Sequence, residues 1–398
     1  MKRGAKNIDI KNPETILPWV TECIFRHLKR HDFRKLLRKH GMSTAQFKAA
    51  QIKNKRGKVV DYDREAFTPY IKMIAEEAAE QIARRELIIE PIKIALRVDP
   101  SSGKLRYIGV ECPMQQIFDY IVVKSSMDIL MRFIVLEQVS SIKKRGQDMG
   151  VRLIRYWVKN HKPKFHVKGD ITKCFPSADY HRFLELFGKY CVNDDILWLW
   201  AYIFETHKAA YMTIENYKGE CGMIVGALPS CWAVQFMLSW VYRFAKEQHY
   251  ERRGQRIKIF EDALFFMDDI LLTGNNRRKM QRHFGKVIKF ARDFLGFDIK
   301  PNWHIKELEL EPIDMMGYVV HADGHITIRA RVFLRARRNV LRYNASGSYK
   351  LKQAQRACSY KGYFKNSNSY QVRHKYNVNE AMRAAAHVVS EHDRRDGA

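Results

Sequence analysis

No apolar run in this 398-residue chain is long enough to cross a bilayer. The longest, ILWLWAYIF at 196–204, is bounded by Asp195 and Glu205 and has about half of the roughly 20 residues a spanning helix needs. No apolar segment follows the charged opening MKRGAKNIDIKNPE, so no secretory signal is read there and a cytoplasmic protein is expected. Cysteine is sparse: Cys23, Cys112, Cys174, Cys191, Cys221, Cys231 and Cys358 are scattered, with no CxxC pair and no Cys/His spacing suited to zinc. That excludes a disulfide framework or zinc ribbon and leaves reduced core residues. Internal repeats and low-complexity linkers are lacking too, so the domains are expected to interlock.

Acidic charge is the other shortage. Against 71 Lys and Arg stand 43 Asp and Glu, a net charge of +28. An excess of that size calls for a polyanionic partner, with nucleic acid ahead of an acidic membrane surface. With 46% hydrophobic residues the chain can still bury a substantial core.

The first 65 or so residues carry much of the basic charge, as in RHLKRHDFRKLLRKHG and KNKRGK, with apolar positions at helical spacing between. They read as a helical extension that is either a solvated face or a nucleic-acid arm. A cleaner helix follows, with Thr68 as N-cap, Pro69 in the first turn and Ile71, Ile74, Ala78 and Ile82 on one face. Residues 92–125 read as strands and turns, 126–160 as helix broken at KKRGQDMG, and KFHVKGD as a half-buried strand ending in an acid, Asp170. Later, KIFEDALFFMDDILLTG reads as two short strands meeting at a tight turn that holds Asp268 and Asp269, and an amphipathic helix comes next. IDMMGYVV and HITIRA read as strands, and basic helical sequence runs on from Arg329.

Two adjacent charges in an apolar hairpin need a reason. By pattern alone the pair is as good a turn as a metal ligand. The other such pair, Asp194 and Asp195 after Asn193, is better explained as the start of a helix. A third carboxylate at the end of a neighbouring strand, Asp170, would converge on the hairpin, and clustered carboxylates repel unless a cation compensates them. Mg²⁺ takes such oxygen ligands together with substrate phosphates. Two ions there would activate a 3′-hydroxyl and stabilise leaving pyrophosphate. Mn²⁺ is an alternative ion.

Several ordered motifs carry a resemblance to the reverse transcriptases, across about residues 90–378. FFMDD resembles the family's Tyr-x-Asp-Asp box, with Phe266 for tyrosine. VKGDITKCFPSAD is similar to the first palm motif, GMIVGALPS to the motif between, and LGFDIKPNWHIKE and IDMMGYVV to the two that follow. Upstream, GKLRYIGVECPMQQIFDY is similar to a fingers segment ending in a Gln-rich helix, and KKRGQDMG to the segment after it. RACSYKGYFKNSNSYQVRHKY resembles the thumb end of bacterial members.

The resemblance implies an α+β right-hand polymerase fold: a basic helical extension at 1–90, fingers at 91–164, a palm at 165–325 and a helical thumb at 326–398. It implies that Asp170 and Asp268 ligate both metals, with Asp269 completing the cluster and the Ile171 carbonyl adding a ligand. Phe175 matches the aromatic ring that excludes a 2′-hydroxyl, and Lys104 and Arg106 match the cations that hold the incoming triphosphate. Gly222, Gly226 and Ser230 match the loop and helix start against the nascent pair and template. Lys306, and less surely Lys300, match the lysine that protonates pyrophosphate. Arg329 and Arg335 would lie along an RNA/DNA duplex from the thumb helix. Met223 and Ile224 depart from the family, which usually has proline after the first glycine of that motif, and SCWAVQ replaces a Ser-Gln…Asn pattern.

Among reverse transcriptases the short bacterial "unknown group" associated with phage defence is the nearest likeness, with the diversity-generating retroelement enzymes second. Such a protein would copy a non-coding RNA into DNA from dNTPs, with a partner protein or a second copy of the chain as further candidates and no membrane. Untemplated or protein-templated synthesis, and an inactive RNA-binding protein on a decayed palm, are the other readings.

Overall fold

The computed structural model describes residues 4–54, 57, 59–98, 103, 105–214 and 222–395, with side chains to residue 392. Helices and strands are mixed in an α+β arrangement. Near the N-terminus, Pro13 opens helix Pro13–His27 and the Asn12 side chain accepts a hydrogen bond from Glu14 N at 2.9 Å. Its apolar stripe, Ile16, Val20, Cys23 and Ile24, is buried. Helices His31–Lys39 and Thr44–Ala49 follow. Then comes a hairpin, Gln51–Lys53 with Val59–Tyr62, where the charge pattern predicts only helix. Helix Thr68–Arg84 buries the expected Ile71, Ile74, Ala78 and Ile82. Thr68 is not its cap, however. A 3₁₀ turn at Glu65–Phe67 runs straight into the helix, and the Thr68 hydroxyl donates back to the Arg64 carbonyl.

Strands Lys93–Val98 and Leu105–Val110 form the expected hairpin, with Arg97 opposite Arg106. The strands-and-turns reading of 92–125 fails beyond it, because residues Pro113–Ser125 are a helix. The β-branched run Ile121, Val122, Val123 looks like strand, but Cys112 Sγ accepts from Gln115 N and Pro113 starts a helix sunk deep in the core. Burial on nearly every side erases the periodicity that would have marked it.

The central sheet has the order Ile305–Glu307, Phe165–Asp170, Asp269–Gly274, Asp262–Phe266. All its pairings are antiparallel. Helices Leu228–Glu247 and Arg277–Leu295 pack with it into one apolar core that runs from Ile10 to Ile305. The extension is therefore not a tethered unit: its side chains belong to the same core as those of the central sheet. The helices Ala330–Ser346, Leu351–Lys365, Tyr370–Lys375 and Val378–Arg395 have a core of their own around Ala336, Val340, Ala354, Phe364 and Ala381. Among the described residues no helix is long and apolar enough to cross a membrane, and the six described cysteines are unpaired.

Candidate active site

Strand pairing brings the three carboxylates together in the backbone. Asp170, last in its strand, sits opposite Asp269, first in its own, and Asp269 is also opposite Phe266 in the hairpin. Met267 turns the hairpin with φ +56°, an uncommon left-handed conformation for a side-chain-bearing residue, and Asp268 stands at the tip. The Asp268 carbonyl accepts from Ile171 N at 3.0 Å, and Lys300 N donates to the Asp170 carbonyl at 2.9 Å. So the end of one strand is zipped to the hairpin tip on one side and to the segment before Ile305–Glu307 on the other.

Electrostatics bear out the strain of that grouping. Burial pushes Asp268 above the ordinary carboxylate range, and the charges of Asp269 and Asp170 push it further, while Arg106 opposes them. Burial raises Asp269 as well, with Lys168 opposing and Asp170 adding to the rise. The thiol of Cys174 beneath them is driven up by burial and by Asp268 and Asp170. Lys300 places Nζ 2.5 Å from Asp170 Oδ1, a cation on the first carboxylate.

Among the described residues no three acidic, histidine or cysteine side chains are arranged to hold a metal ion as they stand. The donor set nevertheless fits a hard divalent cation in kind. It offers carboxylate oxygens on adjacent backbone positions, with like-charge repulsion that a positive ion relieves. What occupies the position of the cation toward Asp170 is the Lys300 ammonium.

The other expected residues fall as follows. Phe175 is half-buried at the start of a short helix, Cys174–Ser177, and its carbonyl accepts from Met223 N at 3.0 Å. Arg106 lies on the hairpin strand, and Lys104 lies outside the described residues. Gly226 has φ +105°, which a residue with a Cβ adopts only under strain, and Gly222 is buried. Ser230 lies in the first turn of helix Leu228–Glu247. Its side chain is fully buried and faces His207 Nδ1 at 3.5 Å. Lys306 is also placed away from the carboxylates, opposite His166 in the strand and paired with Glu311 at 2.6 Å, whereas Lys300 reaches them. Distance along the strand decides this, since His166 lies four residues before Asp170. Arg329 pairs with Asp314 at 2.5 Å, at the head of helix Ala330–Ser346, and Arg335 is half-buried on that helix.

Sequence reasoning missed Lys168, Glu111 and His207. Lys168 alternates with Asp170 on one strand face, a signal that was legible, and donates to the Asp314 carbonyl at 2.7 Å. Glu111 lies within the fingers segment GKLRYIGVECPMQQIFDY without being singled out there, and His207 sits in a segment with no motif to flag it.

A search of curated proteins finds no match. A family model for reverse transcriptase (RNA-dependent DNA polymerase) matches residues 77–320, more than half of the chain and all three carboxylates. With that match on top of the carboxylate geometry, the chain belongs to the reverse transcriptases and is an RNA-directed DNA polymerase, a nucleotidyltransferase.

Proposed function

We propose that the protein copies a dedicated non-coding RNA into DNA by two-metal phosphoryl transfer, in the service of defence against phage. The observation that carries the catalytic part is the register of Asp170 against Asp269 with Asp268 at the adjoining turn. Divalent ions bound there, Mg²⁺ first, would sharpen the primer 3′-hydroxyl as a nucleophile and neutralise departing pyrophosphate. Asp170, Asp268 and the Ile171 carbonyl hold the ions, and Asp269 completes the acidic cluster. Arg106, whose charge already acts on Asp268, binds the triphosphate, with Lys104 as its companion. Phe175 excludes the 2′-hydroxyl. Lys300, rather than Lys306, takes the role of proton donor to pyrophosphate, since its ammonium lies at the carboxylates.

On this reading residues 91–164, 165–325 and 326–398 are fingers, palm and thumb of a right-hand fold. Arg329 and Arg335 face the duplex. The extension holds the RNA, which its charge favours and which a cavity of about 550 Å³ there supports: Lys29, His31, Arg34, Arg38 and Lys48 line it together with Phe47 and Tyr62. Cations with aromatic rings between them suit single-stranded nucleic acid.

The test is to sequence the RNA and DNA that copurify with the protein, beside an Asp268→Ala/Asp269→Ala double variant. One discrete RNA in both preparations, with complementary DNA only in the wild type, is expected. DNA without a matching RNA would overturn the templated reading, and DNA from both preparations would overturn the site.

A further inference from the structure

The loop at 222–226 is held by four backbone hydrogen-bonding groups, each with a different partner. Met223 N donates to the Phe175 carbonyl at 3.0 Å, and the Met223 carbonyl accepts from the buried Tyr211 hydroxyl at 3.2 Å. Ile224 N faces His207 Nδ1 at 3.5 Å, and the Val225 carbonyl accepts from Gly109 N at 3.3 Å. Tyr211 and His207 are one turn apart on helix Asp194–Met212, so one face of one helix addresses two successive residues of the loop. Gly109 is on the hairpin strand that carries Arg106, and a Cβ there would collide with the Ile224 side chain. Ile224 itself is buried among Ile92, Ala210, Tyr211 and Ala227.

The chemistry of His207 fixes its orientation. A backbone N–H can only donate, so Nδ1 is the bare nitrogen and Nε2 carries the hydrogen. That Nε2, fully buried, stands 3.5 Å from Oε1 of buried Glu111, and neither atom has a hydrogen-bond partner elsewhere. Glu111 thereby backs the ring from behind, as an orienting carboxyl group backs an imidazole. A buried donor and acceptor with no other partner have a strong reason to keep facing each other.

We propose that Tyr211 and His207, backed by Glu111, are a positioning clamp for sugar selection. The clamp fixes Met223, whose N–H fixes the Phe175 backbone, so the height of the ring beneath the incoming sugar is set by residues that never touch the nucleotide. The same loop ties the Arg106 hairpin to that ring through Gly109, so triphosphate and sugar are gripped in register. Met223 and Ile224, the two departures from the family's motif, are the residues the clamp and the hairpin hold. The inference rests on Phe175 being the sugar-selecting ring.

The experiment measures kcat and KM for a deoxynucleotide and for its ribonucleotide on a primed RNA template, in wild type, Tyr211→Phe, His207→Phe, His207→Gln and Phe175→Ala. Melting temperatures are taken alongside. Tyr211→Phe, which removes one oxygen from a packed ring, is the variant certain to keep the core filled. The clamp predicts that Tyr211→Phe and His207→Phe lose roughly tenfold in deoxynucleotide preference, the scale of one buried hydrogen bond, through KM more than kcat. His207→Gln, which keeps an acceptor and a donor, restores most of it. If Phe175→Ala abolishes the preference while folded Tyr211→Phe leaves it unchanged, the clamp is wrong and the ring stands. If Phe175→Ala leaves the preference intact, the ring assignment falls and the clamp with it.

Discussion

At the scale of single residues, the carboxylates behave as a group held against its own repulsion. Asp268 and Asp269 are weaker acids in the fold than in the unfolded chain, so the folded state binds protons more readily there. Stability from these two groups is therefore full below the ordinary value of 3.8 and declines as pH rises through the folded value. At neutral pH without metal, Asp268→Asn should melt above wild type, with the gap narrowing toward pH 4. Mg²⁺ should raise the wild-type melting temperature and not that of Asp268→Asn/Asp269→Asn, and DNA synthesis by the latter should fall by roughly a thousandfold. Differential scanning fluorimetry with and without EDTA reads the first two, and primer extension the third. His166 shows the opposite sign. Burial lowers it to about 4, with Nδ1 buried and lacking an acceptor for a second proton, while the hydrogen bond from Nε2 to the Glu311 carbonyl at 2.8 Å works the other way and Lys306 adds to the fall. Its contribution is complete above 6.5 and is lost as pH falls to about 4, on the order of 3 kcal/mol, so His166→Gln should flatten denaturation curves across that window. The three acids were legible in the sequence because a charge inside an apolar β pattern is conspicuous. Lys300 over Lys306 was not, since it depends on where along Phe165–Asp170 the downstream segment pairs: Lys306 falls opposite His166, four residues from Asp170, while Lys300 N meets the Asp170 carbonyl.

At the scale of elements, ends and turns were easier to read than interiors. Asn193 caps helix Asp194–Met212, accepting from Ile196 N at 3.0 Å, as the Asn-Asp-Asp start predicts. Its amide also donates to the Ile8 carbonyl at 2.6 Å, so one side chain both starts a helix and ties down the N-terminal segment. Asn193→Ala should therefore cost more than a cap alone, about 2 kcal/mol by urea denaturation, and loosen residues near Ile8 in hydrogen exchange. Gly274 closes the strand Asp269–Gly274 against the Ile259 carbonyl, which a Cβ would strike. Gly274→Ala should destabilise by about 2 kcal/mol, since the obstacle is backbone and cannot swing aside. What hydrophobic pattern concealed were the helix Pro113–Ser125, hidden by uniform burial and signalled only by the resemblance to a Gln-rich helix, and the hairpin Gln51–Lys53 with Val59–Tyr62, hidden by charge. Hydrophobic periodicity reports a boundary between core and water. It is silent where an element has only one of the two.

At the scale of the whole molecule, the net charge of +28 sets binding and the shared core sets folding. RNA affinity should fall by roughly 10³ or more between about 50 and 200 mM salt if six or more phosphates are neutralised, and filter binding measures the slope. Deleting residues 1–67 should give insoluble protein rather than a minimal polymerase, because it strips Ile16, Val20, Phe33 and Phe67 from a core continuous with the central sheet. The expected interlocking of domains thus holds for the extension, while the C-terminal helices keep a core of their own. That continuity also has a consequence for incomplete chains. Gly4 hydrogen-bonds with Tyr190, and helix Pro13–His27 packs on helix Pro113–Ser125. Helix Pro13–His27 can be covered in part by helix Thr68–Arg84, but the N-terminal segment has its full set of partners only once Pro113–Ser125 and Tyr190 have been made, and a chain that stops short of them leaves part of the apolar stripe open to water and to aggregation.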